Sequence, residues 1–84
     1  MKQSIYHNVD VQDAAMAYNY SSKHLNACYD YFQEHAEDAV MVDIAEALAR
    51  HARAQAEAEA ILKQHGVSED ELLKVVYAIC CGKA

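Results

Sequence analysis

The chain has 84 residues and a net charge of −6, from 13 acidic and 7 basic side chains, and these figures exclude several classes of protein. The length allows one domain at most, and a domain this small often gains core by forming oligomers. No run of lysine or arginine provides a basic face, so nucleic-acid binding is not expected. The three cysteines follow no disulfide or C-x-x-C pattern, and no signal peptide or membrane span is apparent, which predicts a cytoplasmic protein without membrane attachment.

The amino-acid composition favours an all-α fold. The chain contains no proline and only two glycines, and its apolar residues recur at helical spacing. Residues 1–84 are therefore predicted to form a single small helical domain. Residues 1–9 show no period and are predicted to be a loosely ordered N-terminal arm.

The first helix is predicted over about residues 10–36, with Asp10 as its N-cap. Its apolar side chains repeat with alternating steps of four and three residues, which is the pattern of a helix packed along one stripe. The positions of this stripe are Val11, Ala15, Tyr18, Ser22, Leu25, Tyr29, Phe32 and Ala36, and only Ser22 interrupts the apolar pattern.

The second helix is predicted over about residues 39–65. Its apolar stripe starts in a new register, which allows either a tight turn at about 35–39, capped by Asp38, or one continuous helix with a four-residue stutter. An antiparallel hairpin is the preferred solution, because a single long rod would leave every stripe exposed. The stripe consists of Val40, Ile44, Ala47, His51, Ala54, Ala58 and Ile61, flanked by Leu48 and Leu62.

A short third helix is predicted over about residues 69–81. Gly66 is a helix stop of the left-handed type, and Ser68 with Glu71 has the spacing of a capping box. The predicted apolar face of this helix contains Leu72, Leu73, Val76, Ile79 and Cys80.

Two side chains form the sharpest candidate for a metal site. His24 and Cys28 lie four residues apart on one helical face, so they could ligate a soft or borderline metal ion. Two ligands do not complete a site, and a dimer would have to supply the others. We expect both residues to lie beside the helix contact and to bind no metal.

No pattern in the chain predicts catalysis. His51 lies on the inner stripe of the second helix, where a histidine is most often a core-edge residue with a satisfied ring nitrogen. Cys80 and Cys81 lie at a helix C-terminus, where the helix dipole opposes a thiolate. No glutamate has a histidine three residues later, which excludes the di-iron carboxylate pattern, and no phosphate loop occurs. We expect neither enzymatic activity nor a cofactor.

The aromatic residues of the first helix divide between two faces. Tyr18, Leu25, Tyr29 and Phe32 belong to its apolar stripe and are predicted to form the interface of a dimeric helical bundle. Tyr20 and Tyr31 face away from that stripe. Because tyrosine is common at protein interfaces, these two are predicted to bind a partner.

The sequence therefore predicts a small acidic protein–protein interaction module that acts as an adaptor, inhibitor or regulator of a protein partner. We also expect the module to be a homodimer. Two alternatives are a metal-binding bundle that uses His24 and Cys28 across a dimer, and a non-catalytic subunit of a larger assembly.

Overall fold

The computed structural model describes residues 5–81, and in this part of the chain it contains three α-helices and no strand. The helices are α1 (Val9–Glu34), α2 (Asp38–Gln64) and α3 (Leu72–Cys80), with 3-10 turns at Ile5–His7 and Glu69–Glu71. The predicted all-α architecture of a long hairpin and a short third helix is confirmed, whereas the predicted dimer remains a prediction.

The start of α1 differs from the predicted one. Its N-cap is Asn8, whose side-chain oxygen accepts a hydrogen bond from the Val11 backbone N–H at 3.2 Å. Asp10 is not the cap; it lies in the first turn, where its carboxylate meets the positive end of the helix dipole. Ile5 and Tyr6, which belong to the predicted N-terminal arm, pack against the core, and residues 1–4 lie outside the described residues.

The hairpin turn consists of residues 35–37 and contains neither glycine nor proline. The His35 backbone N–H still donates to the Tyr31 carbonyl at 2.8 Å, so the last turn of α1 closes normally. Glu37 is in an extended conformation (φ −115°, ψ 153°) and is the N-cap of α2, without a side-chain capping bond. Asp38 is the first helical residue, not the predicted cap. The chain thus reverses direction here, and a continuous stuttered helix is excluded.

The two long helices contact each other through the predicted stripes. The inward stripe of α2 includes Ala47, Ala54 and Ala58, so its backbone can lie close to the larger side chains of α1, and the two helices make the most extensive contact of the fold. The buried residues of this contact and of the adjoining core are Val11, Ala15, Ser21 and Leu25 in α1, and Val40, Ala47, Ala58 and Leu62 in α2.

The end of α2 carries a Schellman motif, as the predicted glycine stop implies. Gly66 has a φ of 74°; its N–H donates to the Lys63 carbonyl at 3.0 Å, and the Val67 N–H donates to the Leu62 carbonyl at 2.9 Å. Leu62 and Val67 both belong to the apolar core, so the motif also fixes the direction in which the chain leaves α2.

The start of the third helix is tighter than predicted. The Ser68 hydroxyl accepts from the Asp70 N–H at 3.2 Å, and not from Glu71, so the predicted capping box does not form. Because this bond closes a short turn, residues 69–71 form a 3-10 turn and the α-helix begins only at Leu72.

The main core lies at the open end of the hairpin, where α3 packs mainly against α1. α3 buries Leu72, Val75, Val76 and Ala78, whereas Leu73, predicted for this face, is 66% exposed. Ile79 and Cys80 are half-buried, as their edge position requires. Since α3 covers only one end of the hairpin, the molecule is elongated, at 54 × 22 × 19 Å. None of the helices described here is long and apolar enough to cross a membrane.

Candidate functional site

A polar cluster lies inside the contact between α1 and α2. The buried Ser21 hydroxyl lies 2.8 Å from His51 Nδ1 and 2.9 Å from the Tyr18 carbonyl oxygen. The Tyr18 and His51 rings also contact each other, with centroids 4.8 Å apart. The expectation that His51 is a core-edge residue with a satisfied ring nitrogen agrees with this geometry. Ser21 was missed from sequence, because it lies one position before the stripe member Ser22.

The hydrogen-bond directions in this cluster are those of a structural contact. A carbonyl can only accept, so the Ser21 hydroxyl donates its proton to Tyr18. The hydroxyl oxygen then accepts from His51 Nδ1–H in the tautomer that carries the ring proton on Nδ1. In a nucleophile–base pair the serine proton points the other way, toward the histidine. The cluster therefore links the two helices by a polar contact inside their packing.

The predicted metal-ligand candidates do lie close together. His24 Nε2 and Cys28 Sγ are 3.8 Å apart on the surface of α1. They border a shallow groove on the α2 side that also contains Asp43, Glu46 and Arg50. Within residues 5–81, however, no three histidine, cysteine or acidic side chains converge on a point where they could hold a metal ion. One copy thus supplies two ligands at most.

Cys80 is held in its thiol form by its surroundings. Its Sγ lies 3.7 Å from the Ala15 carbonyl, which accepts the thiol hydrogen. Burial raises the pKa of Cys80, and the neighbouring Cys81 raises it further, while Lys23 acts in the opposite direction. A thiol with a raised pKa is a poor nucleophile and a poor metal ligand at neutral pH.

The residues predicted as a dimer interface are largely used within one chain. Leu25 is buried, and Tyr18 and Phe32 are half-buried between the helices of the hairpin. Tyr29 lies at the edge of this contact and is 41% exposed. The packing of this stripe therefore needs no second copy, with Tyr29 as its most accessible member.

The side of α1 opposite this stripe carries the most exposed aromatic side chain of the helix, Tyr20. Tyr20 is 71% exposed, and Tyr31, whose ring stacks on His35 with centroids 4.4 Å apart, is also exposed. Val9 and Met16 are exposed on the same side and were not singled out from sequence. We call this side of α1 the outer face; its central residues, each exposed, are Val9, Asp13, Met16, Tyr20, Lys23 and Ala27.

A smaller apolar patch lies on α3. Leu73 and Tyr77, one helical turn apart, are both more than half exposed and border a groove between α3 and α1. Tyr18 and Cys81 line the same groove. This patch is a second place where a partner could contact the molecule.

Comparison with known proteins identifies no relative. No protein-family model matches the chain, and neither a curated protein nor a solved structure shows significant similarity to it.

Proposed function

We propose that this chain is a non-catalytic protein–protein interaction module of the cytoplasm, an adaptor, inhibitor or regulator that binds its partner through the outer face of α1. The observation that carries the proposal is the exposure of Tyr20, Met16 and Val9 along one side of a rigid helix. Complete burial of an apolar side chain contributes about 1.5–3 kcal/mol, and a complex that covers the exposed part of these three side chains gains a share of that.

The chemistry of the outer face also fits a protein partner. Tyrosine and methionine are enriched at protein interfaces, where they combine apolar area with adaptable or polar contacts. The net charge of −6 opposes binding to a phosphate backbone. Four of the six residues of the outer face are uncharged, and an amphipathic helix of another chain can pack against such a stripe.

Site-specific photo-crosslinking tests the proposal. A photoreactive phenylalanine analogue at position 20 is expected to form a discrete protein adduct in native cell extract. The control carries the same analogue at Ala49, which is also exposed but lies on α2, away from the inward stripe. Adducts that are absent at position 20, or equally abundant at both positions, would contradict the proposal.

A further inference from the structure

We infer that the partner on the outer face is a second copy of this chain, packed antiparallel along α1. This inference rests on the proposed function, because it names the occupant of the same surface. It follows from the spacing, the exposure and the charges of the outer face.

The outer face has the spacing of a coiled-coil contact. From Val9 its residues follow at alternating steps of four and three, through Asp13, Met16, Tyr20 and Lys23 to Ala27. All six are exposed, and Tyr20 also borders a groove between α1 and α2 that Arg50 and Arg53 line. A second helix can therefore approach this face without displacing the hairpin.

The outer face is complementary to itself in one antiparallel register. With a two-fold axis at the level of residue 18, Val9 faces Ala27 of the other copy, Asp13 faces Lys23, and Met16 faces Tyr20. Each layer occurs twice, as a two-fold interface requires. The central layers stack methionine on an aromatic ring, which is a favourable contact, and each side is closed by a pair of opposite charges.

The two charged residues form no hydrogen bond or ion pair within one copy, although the Lys23 charge also acts on the Cys80 thiol of α3. Neither Asp13 nor Lys23 forms a hydrogen bond or an ion pair with another described residue of its own chain. Both remain available to a second copy. Although the whole chain is acidic, the outer face between residues 9 and 27 carries one charge of each sign and is locally neutral.

Charge also disfavours a parallel pairing and the antiparallel register that is shifted toward Ala27. In a parallel, in-register pair Asp13 would face Asp13 and Lys23 would face Lys23. Moving the two-fold axis toward Ala27 by half a heptad would bring Asp13 against Asp30. Both arrangements place like charges opposite each other, which is the device that excludes wrong pairings in helical assemblies.

Charge exchange at the two positions tests the inference by sedimentation equilibrium on purified full-length chains. Asp13→Lys alone gives two lysine–lysine contacts per dimer, and Lys23→Asp alone gives two aspartate–aspartate contacts. Each single variant is expected to weaken dimerisation on the order of tenfold. An equimolar mixture of the two variants restores opposite charges in both contacts, so a mixed dimer should recover the wild-type affinity.

The controls separate charge from folding. Both substituted residues are exposed, so circular dichroism should stay unchanged. Asp43→Lys makes the same charge change on α2 and should leave dimerisation close to wild type. A dimer that ignores the charge exchange, or that is lost only on Leu73→Glu, would overturn the inference.

The two proposals fail in different ways. If the wild-type chain stays monomeric up to about 1 mM, no second copy occupies the outer face, and self-association is refuted. Photo-crosslinking from position 20 to a different protein would then leave the proposed function standing. If position 20 also forms no adduct, both proposals are wrong.

Discussion

The hydroxyl of Ser21 is the polar group that joins the two long helices. It is buried, and its contacts with His51 and the Tyr18 carbonyl satisfy all three groups within a mostly apolar contact. Among the residues described, no buried side-chain nitrogen or oxygen lacks a hydrogen-bond partner. Such a cluster sets the register of the hairpin, because sliding one helix by a turn would leave the serine and the histidine unpaired.

Removing this hydroxyl should destabilise the fold. Ser21→Ala leaves His51 Nδ1 without its partner, and we expect the free energy of unfolding to fall by about 1–3 kcal/mol. Ser22→Ala is the matched control, since it has the same effect on helix propensity at a half-buried position without such a bond. Urea unfolding of both variants checks this. Equal stability of the two would mean that the Ser21–His51 contact contributes nothing.

The His24–Cys28 pair is predicted to be free of metal. Two ligands from one copy do not hold an ion, and the antiparallel dimer would bring no second pair onto the first. Thermal unfolding with and without a chelator should therefore give the same midpoint. A chelator-induced drop in the midpoint that disappears in Cys28→Ser would instead place metal binding first among the functions.

Gly66 is the residue that ends α2 and turns the chain toward α3. Its positive φ strains any residue with a Cβ, although a Cβ there would meet no other atom within 4 Å. Gly66→Ala should therefore cost about 1 kcal/mol, because left-handed strain exceeds the gain from a stiffer unfolded chain. Gly66→Asn should cost less, since asparagine tolerates this conformation. Thermal unfolding distinguishes them; an alanine variant as stable as wild type would contradict the role of this turn.

The elements were predictable from periodicity, whereas their ends were not. The two inward stripes and the glycine stop predict all three helices to within a few residues. The N-caps were predicted wrongly because each helix start offers competing groups. Asn8 and Asp10 compete before α1, and Glu37 and Asp38 compete before α2. At Ser68, two backbone N–H groups compete for the same hydroxyl. Local sequence does not decide among them, since the packing of Ile5, Tyr6 and Val67 against the core helps to fix where the chain enters α1 and α3.

The face of α3 was only partly predictable for a similar reason. In a helix of nine residues, Leu73 and Val75 are both plausible core positions. The choice depends on how α3 lies against α1, which is a tertiary property. The helix buries Val75 and leaves Leu73 exposed. The prediction was therefore wrong at Leu73, which lies at the edge of the predicted face.

At the scale of the whole molecule, stability is concentrated at the open end of the hairpin. Leu62 lies in the core cluster that joins both long helices to α3, and it is almost fully buried. Leu62→Ala should reduce the free energy of unfolding by about 2–5 kcal/mol. Leu48→Ala, on the same helix but 44% exposed, should reduce it by less than about 1 kcal/mol. Denaturant unfolding of both variants checks this, and comparable losses would place the core elsewhere.

The candidate interface was only partly readable from sequence. The surplus of aromatic residues in the first helix pointed to Tyr20 and Tyr31, and the structure exposes both. Val9, Asp13, Met16 and Lys23 were missed, because two of them are charged and break the apolar pattern. Their role depends on which side of α1 the hairpin leaves free, and on the charge a second copy would place opposite them.

Isotope-filtered NMR on a mixture of labelled and unlabelled chains tests the central claim most directly, because it detects only contacts between copies. The account predicts intermolecular NOEs between the Met16 methyl group of one copy and the Tyr20 ring of the other. It also predicts none between copies from Leu25, which is buried inside the hairpin. Intermolecular NOEs confined to Leu73 and Tyr77, or a complete absence of them at millimolar concentration, would contradict it.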